Sequence, residues 1–195
     1  MVVPSPFPAQ KAQIRARLLA ARRDHVRSLA PASRASLETA LAETVIPHLL
    51  TARIVGGYHP LKDEISPWPI LEKLGPGQRA ALPWFEGRDA RMMFRDAAAG
   101  LKPGPWGVLQ PPAQAEALAP DVVLVPLVAA DRFGQRIGRG KGHYDRALAN
   151  LRENGAIFAI GLGWEEQLLG DAIPADSWDI ALDAIATPGR WVSCR

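Results

Sequence analysis

Asp121-Val-Val-Leu-Val-Pro126 is the clearest strand signal in the chain: four apolar residues in a row, three of them β-branched, stopped by a proline. Branching at Cβ favours extended backbone, and an apolar run without polar alternation fits a strand buried on both faces. Such a strand belongs inside a sheet that helices cover. To its N-terminal side, Ile54-Val-Gly-Gly-Tyr58 is a second short apolar run ending at Pro60, and Arg79-Ala-Ala-Leu-Pro83 and Met92-Met-Phe-Arg95 are further strand candidates. Trp68 to Lys73 fits a short helix. On the C-terminal side come a Gly-rich segment, a helix from about His143 to Asn150, a strand from Ile157 to Leu162 and a last apolar run from Ile180 to Ile185.

Two helices precede all of this. Ile14, Leu18, Leu19 and Val26 recur at helical spacing between Ala9 and Ser28, and Pro31 breaks that pattern. A second helix starts near Ser33 with Leu37, Leu41, Val45 and Leu49 as its buried stripe, and it tolerates Pro47 only as a kink or late turn. Between Gly100 and Pro112 the density of Pro and Gly predicts a long loop around Trp106. Strands alternating with helices define an α/β layer fold with a mostly parallel sheet.

A length of 195 residues suits one core, so the expectation is one domain over 9–190 behind an unstructured segment at 1–8. With 48% apolar and 22% charged residues the chain has the composition of an ordinary globular protein. The formal charge of +3 rests mainly on Arg, which suits anionic small molecules at least as well as a nucleic-acid backbone. Among the early cations, Arg17, Arg22 and Arg23 read as a solvated helix face. The single Cys194 has no partner for a disulfide within the chain. No apolar stretch approaches bilayer length and Met1 to Pro8 lacks the blocks of a signal peptide, so the cytoplasm is the expected compartment, with no membrane partner.

The chemistry concentrates in Arg136-Ile-Gly-Arg-Gly-Lys-Gly-His-Tyr-Asp145. Three glycines at alternate positions let backbone N–H groups approach a ligand, and the helix that follows adds partial positive charge at its start. Arg136, Arg139 and Lys141 supply cations, so the segment reads as a phosphate cradle, against the blander possibility of a flexible, soluble turn. It matches neither the P-loop nor the dinucleotide fingerprint. A polyphosphate calls for Mg²⁺, which takes one or two carboxylates. Asp145 and Asp183 are the candidates; the alternatives are a helix-start acid for Asp145 and a solvent-facing turn for Asp183.

Val123-Leu-Val-Pro126, Asp131-Arg-Phe-Gly134 and Arg136 through Arg146 together resemble the signature of 5-formyltetrahydrofolate cyclo-ligases, also called methenyltetrahydrofolate synthetases. The likeness runs from about Lys11 to Ala186. It includes Lys11 and Arg15 on the first helix, Asp63-Glu64-Ile65, Pro105-Trp-Gly-Val108, Gln167 and Leu182-Asp183. It implies a single-domain, Rossmann-like three-layer sandwich that acts, as a monomer without nucleic acid, on ATP and 5-formyltetrahydrofolate. By the same resemblance Lys11 and Arg15 reach the nucleotide phosphates. Arg136, Ile137, Gly138, Arg139, Gly140, Lys141, Gly142, His143 and Tyr144 form the ATP loop, with Lys141 and Arg139 catalytic. Asp145 and Asp183 hold Mg²⁺. His59, Glu64, Trp106, Gly107 and Tyr144 contact the folate, where an indole suits a flat heterocycle.

Two positions depart from the pattern: His143 stands where many members have the first of two tyrosines, and Ala130 where an aromatic often precedes the aspartate. Two rival readings are a non-catalytic nucleotide- or phosphometabolite-binding regulator on the same fold, and an RNA binder that uses Arg and Trp for stacking. Asp145, Asp183 and Glu64 together speak against the first, because a simple binder needs no metal ligands beside a folate contact. The scattered, proline-flanked aromatics speak against the second.

Overall fold

The structure, a computed structural model, describes residues 8–87 and 90–194. The segment expected to be unstructured lies outside the described residues except for Pro8, which opens helix α1 (Pro8–Ser28). Helix α2 (Pro31–Val45) begins on the proline that ends α1, two residues earlier than Ser33, because a proline at the first helical position gives up only an N–H that has no intrahelical partner. Pro47 falls in a 3₁₀ turn at Ile46–His48. The chain continues through β1 (Ile54–Gly56), α3 (Trp68–Leu71), β2 (Arg79–Trp84), β3 (Met93–Asp96) and the two-residue strands β4 (Lys102–Pro103) and β5 (Leu109–Gln110). Then come β6 (Val122–Pro126), β7 (Ala129–Asp131), β8 (Arg136–Ile137), α4 (His143–Asn154), β9 (Phe158–Leu162), β10 (Leu168–Leu169), β11 (Ala184–Thr187) and β12 (Arg190–Ser193).

Seven strands form the main sheet in the order β12-β11-β9-β6-β1-β2-β3. The four inner pairings are parallel, and β3 and β12 close the edges antiparallel. β6 sits at the centre, as its apolar run predicts. Because strand side chains alternate, Val122 and Leu124 join the core beneath α2, built on Leu41, Ala42, Val45 and Leu49, while Val123 and Val125 join the core beneath α4, with Ala147 and Leu148. Helix, sheet and helix thus make three layers, each side chain of β6 contributing on the order of 1.5–3 kcal/mol by leaving water.

From β1 the chain builds outward to β2 and β3 on one side; from β6 it builds to β9 and β11 on the other. The reversal between β1 and β6 leaves a crevice beyond their carboxyl ends, where an open α/β sheet binds ligands. A small sheet, β10-β7-β8, lies beside it. Leu18 of α1, with Ile14 and Leu19, packs against Val128, Ala129, Ile137 and Ile173 of this layer. That packing carries the N-terminal half of α1 across the crevice.

Three expectations need correction. The segment 100–112 is a hairpin, with Lys102 opposite Gln110 and Pro103 opposite Leu109; the Gln110 side chain accepts from Phe85 N–H at 3.1 Å and donates to Phe85 O at 3.0 Å, so tertiary contacts compensate for the poor strand residues. β12 has no counterpart in the sequence reading. Arg22 is not on a solvated face: it is 1% exposed and donates to Asp63 and to the Leu127 carbonyl. Among the described residues no helix is long and apolar enough to cross a membrane.

Candidate functional site

The glycine segment leaves β8 and turns directly into α4. Gly140 (φ +84°) and Gly142 (φ +63°) occupy the left-handed region that a side chain makes costly, and Gly142 is the N-cap of α4. A Cβ on Gly140 would meet the Arg15 guanidinium at 3.4 Å, in ordinary van der Waals contact, so the backbone conformation is what favours glycine there. Arg15 Nε donates to Gly138 O at 2.7 Å, tying α1 to the loop. Arg136, at the base of the loop, donates to Asp145 Oδ1 at 2.7 Å and to the Ile180 carbonyl. Burial pulls the Arg136 pKa below its ordinary value and Asp145 and Asp179 oppose the shift; an arginine begins so far above neutrality that it stays charged.

Lys11 projects from α1 between Asp176, at 2.6 Å, and Asp179. Burial disfavours its charge, but the two carboxylates outweigh that penalty and its pKa lies above the usual lysine value. Arg139 reaches the loop after β1, with Nε 3.5 Å from Glu64 Oε1 and Nη2 3.5 Å from Asp63 Oδ1. Glu64 is buried, and its Oε2 accepts from Leu61 N–H at 2.9 Å. Tyr144 is partly buried. Desolvation, and then the charge of Glu64, hold its phenol protonated far above the ordinary tyrosine range.

These groups line one cavity of about 1180 Å³ at the crevice. Lys11, Arg15 and the segment from Arg136 to Asp145 form its polar wall; Pro83, Phe85, Met92, Trp106, Val108 and Leu109 form an apolar wall. The walls meet at an aromatic cluster in which Phe85 lies 5.1 Å from Trp106 and 5.0 Å from His143, centre to centre, both edge-on. Trp106 sits at the hairpin tip with φ +61°, a conformation that a non-glycine residue holds at a cost. His59 faces the cavity from the end of β1, its buried Nδ1 without a hydrogen-bond partner among the described residues. Burial lowers its pKa, which keeps the ring neutral at pH 7.

Of the residues that the sequence assigned to ATP, folate, metal or catalysis, all but Gly107 and Asp183 line this cavity. Asp183 is 2% exposed and directly precedes β11; its Oδ2 accepts from Ala159 N–H at 2.8 Å and Arg152 at 3.0 Å. The structure does not bring it into the cavity beside Asp145. Conversely, Phe85, Asp176, Trp178 and Asp179 join the site or its support without having been picked out, and Asp63, quoted in the family resemblance without a role, joins them through Arg139. Lys11 and its two aspartates stand 165 and 168 residues apart, a separation at which no sequence spacing signals a pair.

Sheet order and crevice place the chain among open, mostly parallel α/β proteins whose cleft lies at the switch point. The model of the 5-formyltetrahydrofolate cyclo-ligase family matches residues 8–188. The chain is 31% identical over 200 residues to 5-formyltetrahydrofolate cyclo-ligase of Mycolicibacterium smegmatis, covering 95% of this chain and 97% of that protein. Against the Escherichia coli K12 protein of the same name, identity is 29% over 152 residues, or 74% and 82% of the two chains. The NMR structure of Aquifex aeolicus 5,10-methenyltetrahydrofolate synthetase superposes with a TM-score of 0.73 at 26% identity, covering 95% of this chain and 93% of that one. The chain belongs to the 5-formyltetrahydrofolate cyclo-ligase family, and with it to the ligases.

Proposed function

We propose that the chain converts 5-formyltetrahydrofolate to 5,10-methenyltetrahydrofolate, consuming ATP with Mg²⁺ and releasing ADP and phosphate. The observation that carries this reading is the meeting, in one cavity, of a glycine-lined cationic wall fit for a triphosphate and an apolar, aromatic wall fit for a pterin. The names of the relatives point to the same folate pair.

In this reading the formyl oxygen on N5 attacks the γ-phosphorus: a C–O–P bond forms, the bond to the β–γ bridging oxygen breaks, and ADP leaves. The N10 lone pair then adds to the activated carbon, N10 gives up its proton, and phosphate departs with the former formyl oxygen. Activation is needed because an amide-like oxygen leaves poorly and its phosphate ester leaves well. The protein contributes position and charge. Backbone N–H groups of the segment Gly138 to Gly142 cradle the phosphates, Lys141 and Arg139 stabilise charge on the transferred group, and Lys11 and Arg15 neutralise the rest. Glu64 and His59 orient the folate, and Trp106 with Phe85 covers its ring and excludes water.

Mg²⁺, when bound, adds positive charge to the phosphate oxygens. Asp145 suits it: the residue is on the cavity wall, and its Oδ2 takes no hydrogen bond among the described residues while Oδ1 is engaged by Arg136. Asp183, with its carboxylate committed to the Ala159 amide and Arg152, supports the strand and α4 in this account.

The test is direct. Purified protein with ATP, Mg²⁺ and 5-formyltetrahydrofolate is expected to form 5,10-methenyltetrahydrofolate, followed by its near-ultraviolet absorbance. Folded protein that yields no ATP-dependent product defeats the proposal.

A further inference from the structure

We infer that Asp63 is a positioning residue for Arg139, and that the buried Arg22 holds Asp63 in place for that role. The two oxygens of this one carboxylate face two different guanidinium groups. Oδ2 lies 3.0 Å from Arg22 Nε and 2.9 Å from Arg22 Nη2, while Oδ1 lies 3.5 Å from Arg139 Nη2. The Arg22 side chain is 1% exposed and that of Arg139 is 47% exposed, so a sealed ion pair stands behind one that opens into the cavity.

Every other contact of the pair is fixed by the fold. Arg22 Nη1 donates to Leu127 O at 3.1 Å, just past the end of β6, and the same carbonyl accepts from Gln167 Nε2 at 2.7 Å. The main-chain carbonyl of Asp63 accepts from Trp164 Nε1 at 3.2 Å. Arg139, by contrast, stands between Gly138 and Gly140 with its side chain 47% exposed, and a long side chain there has much rotamer freedom to lose. Asp63 and Glu64 are what aim it. Because Arg22 already balances the charge of Asp63, the outward oxygen attracts Arg139 only weakly, so an incoming anion can draw the guanidinium over without dismantling the loop. The pair therefore orders Arg139 without competing with phosphate for it. This inference rests on the proposal that the cavity takes ATP.

A double-mutant cycle tests it, with Asp63→Asn, Arg139→Ala and both together, reading kcat/KM for ATP and for folate separately. Asp63→Asn is expected to lower kcat/KM for ATP about tenfold and to leave the folate KM within about twofold. In the Arg139→Ala background the same change is expected to cost less than about twofold. Equal losses in both backgrounds overturn the inference, since Asp63 would then act through the fold at large. Should the unpaired Arg22 unfold the single variant, the charge-neutral Arg22→Met/Asp63→Asn pair takes its place in the cycle, and the same outcomes decide. Wild-type protein without ATP-dependent turnover defeats the functional proposal instead. In that event NMR of the Arg139 Nε–H group still decides the positioning: Asp63→Asn is expected to raise its mobility, and unchanged order overturns the inference.

Discussion

Lys141 has no hydrogen bond or ion pair from its side chain among the described residues, whereas Lys11, Arg136 and Arg139 each face a carboxylate and Arg15 donates to the Gly138 carbonyl. An unengaged ammonium is a point charge available to a phosphate. Lys141→Ala is therefore expected to lower kcat/KM for ATP by about 100-fold, with the folate KM and the thermal midpoint little changed. Glu64→Ala is expected to reverse that pattern in steady-state titrations, acting mainly on the folate KM. A second prediction concerns the phenols. The sequence has two tyrosines, Tyr58 buried and Tyr144 partly buried, and desolvation followed by the charge of Glu64 raises both pKa values above the ordinary 10.0. A raised pKa means that the stability these groups contribute is fully present below pH 10.0 and is lost as pH rises toward the native values. Alkaline titration should show no tyrosinate absorbance until the protein unfolds, and then all of it together. At this scale the loop cations were legible in the sequence, because their types and spacing are the signal, whereas Glu64 entered only through the family resemblance. Arg22 was misread as solvated: it lies four residues after Leu18 on the same helix face, and only the packing of α1 showed that this part of the face is buried.

Among the elements, the glycine segment and the hairpin behave differently. Gly138 to Gly142 followed by α4 is a local affair of backbone freedom and helix start, so the pattern could be read directly. Gly140→Ala is expected to cost about 1–2 kcal/mol of loop strain and to raise the KM for ATP; an unchanged KM in a folded variant would show that the loop lies off the nucleotide path. The hairpin of β4 and β5 was read as loop because nothing local recommends Lys-Pro and Leu-Gln as strands. Its pairing depends on Gln110 gripping Phe85, the residue just past β2. At its tip Trp106 is 39% exposed and reaches Phe85 and His143. Trp106→Ala is expected to raise the folate KM about tenfold with little change in thermal midpoint, because it removes a cover and not a core residue.

For the whole molecule, the cavity joins α1, the ends of β1 and β6, the hairpin tip, the start of α4 and the segment of Asp176 to Ile180. Binding that bridges so many elements should stabilise all of them. ATP with Mg²⁺ at about 100 times its dissociation constant is expected to add about 2.7 kcal/mol. A rise in thermal midpoint should follow in the wild type and be much reduced in Lys141→Ala. Chelation of Mg²⁺ is expected to abolish turnover while leaving the unliganded midpoint where it was, since Asp145 is already balanced by Arg136.

Amino-acid order alone settled the central strand, the flanking helices, the α/β class and the glycine segment that opens α4, because β-branching, helical periodicity and glycine freedom act over a few neighbouring residues. Tertiary packing chose the rest. It placed the crevice between β1 and β6, paired Lys11 with Asp176 and Asp179 across most of the chain, and buried Arg22 against Asp63. It also turned Asp183 inward onto the Ala159 amide, where a buried N–H needs an acceptor, and away from the cavity. A charge finds its partner by proximity in space, and distance along the chain carries no record of that.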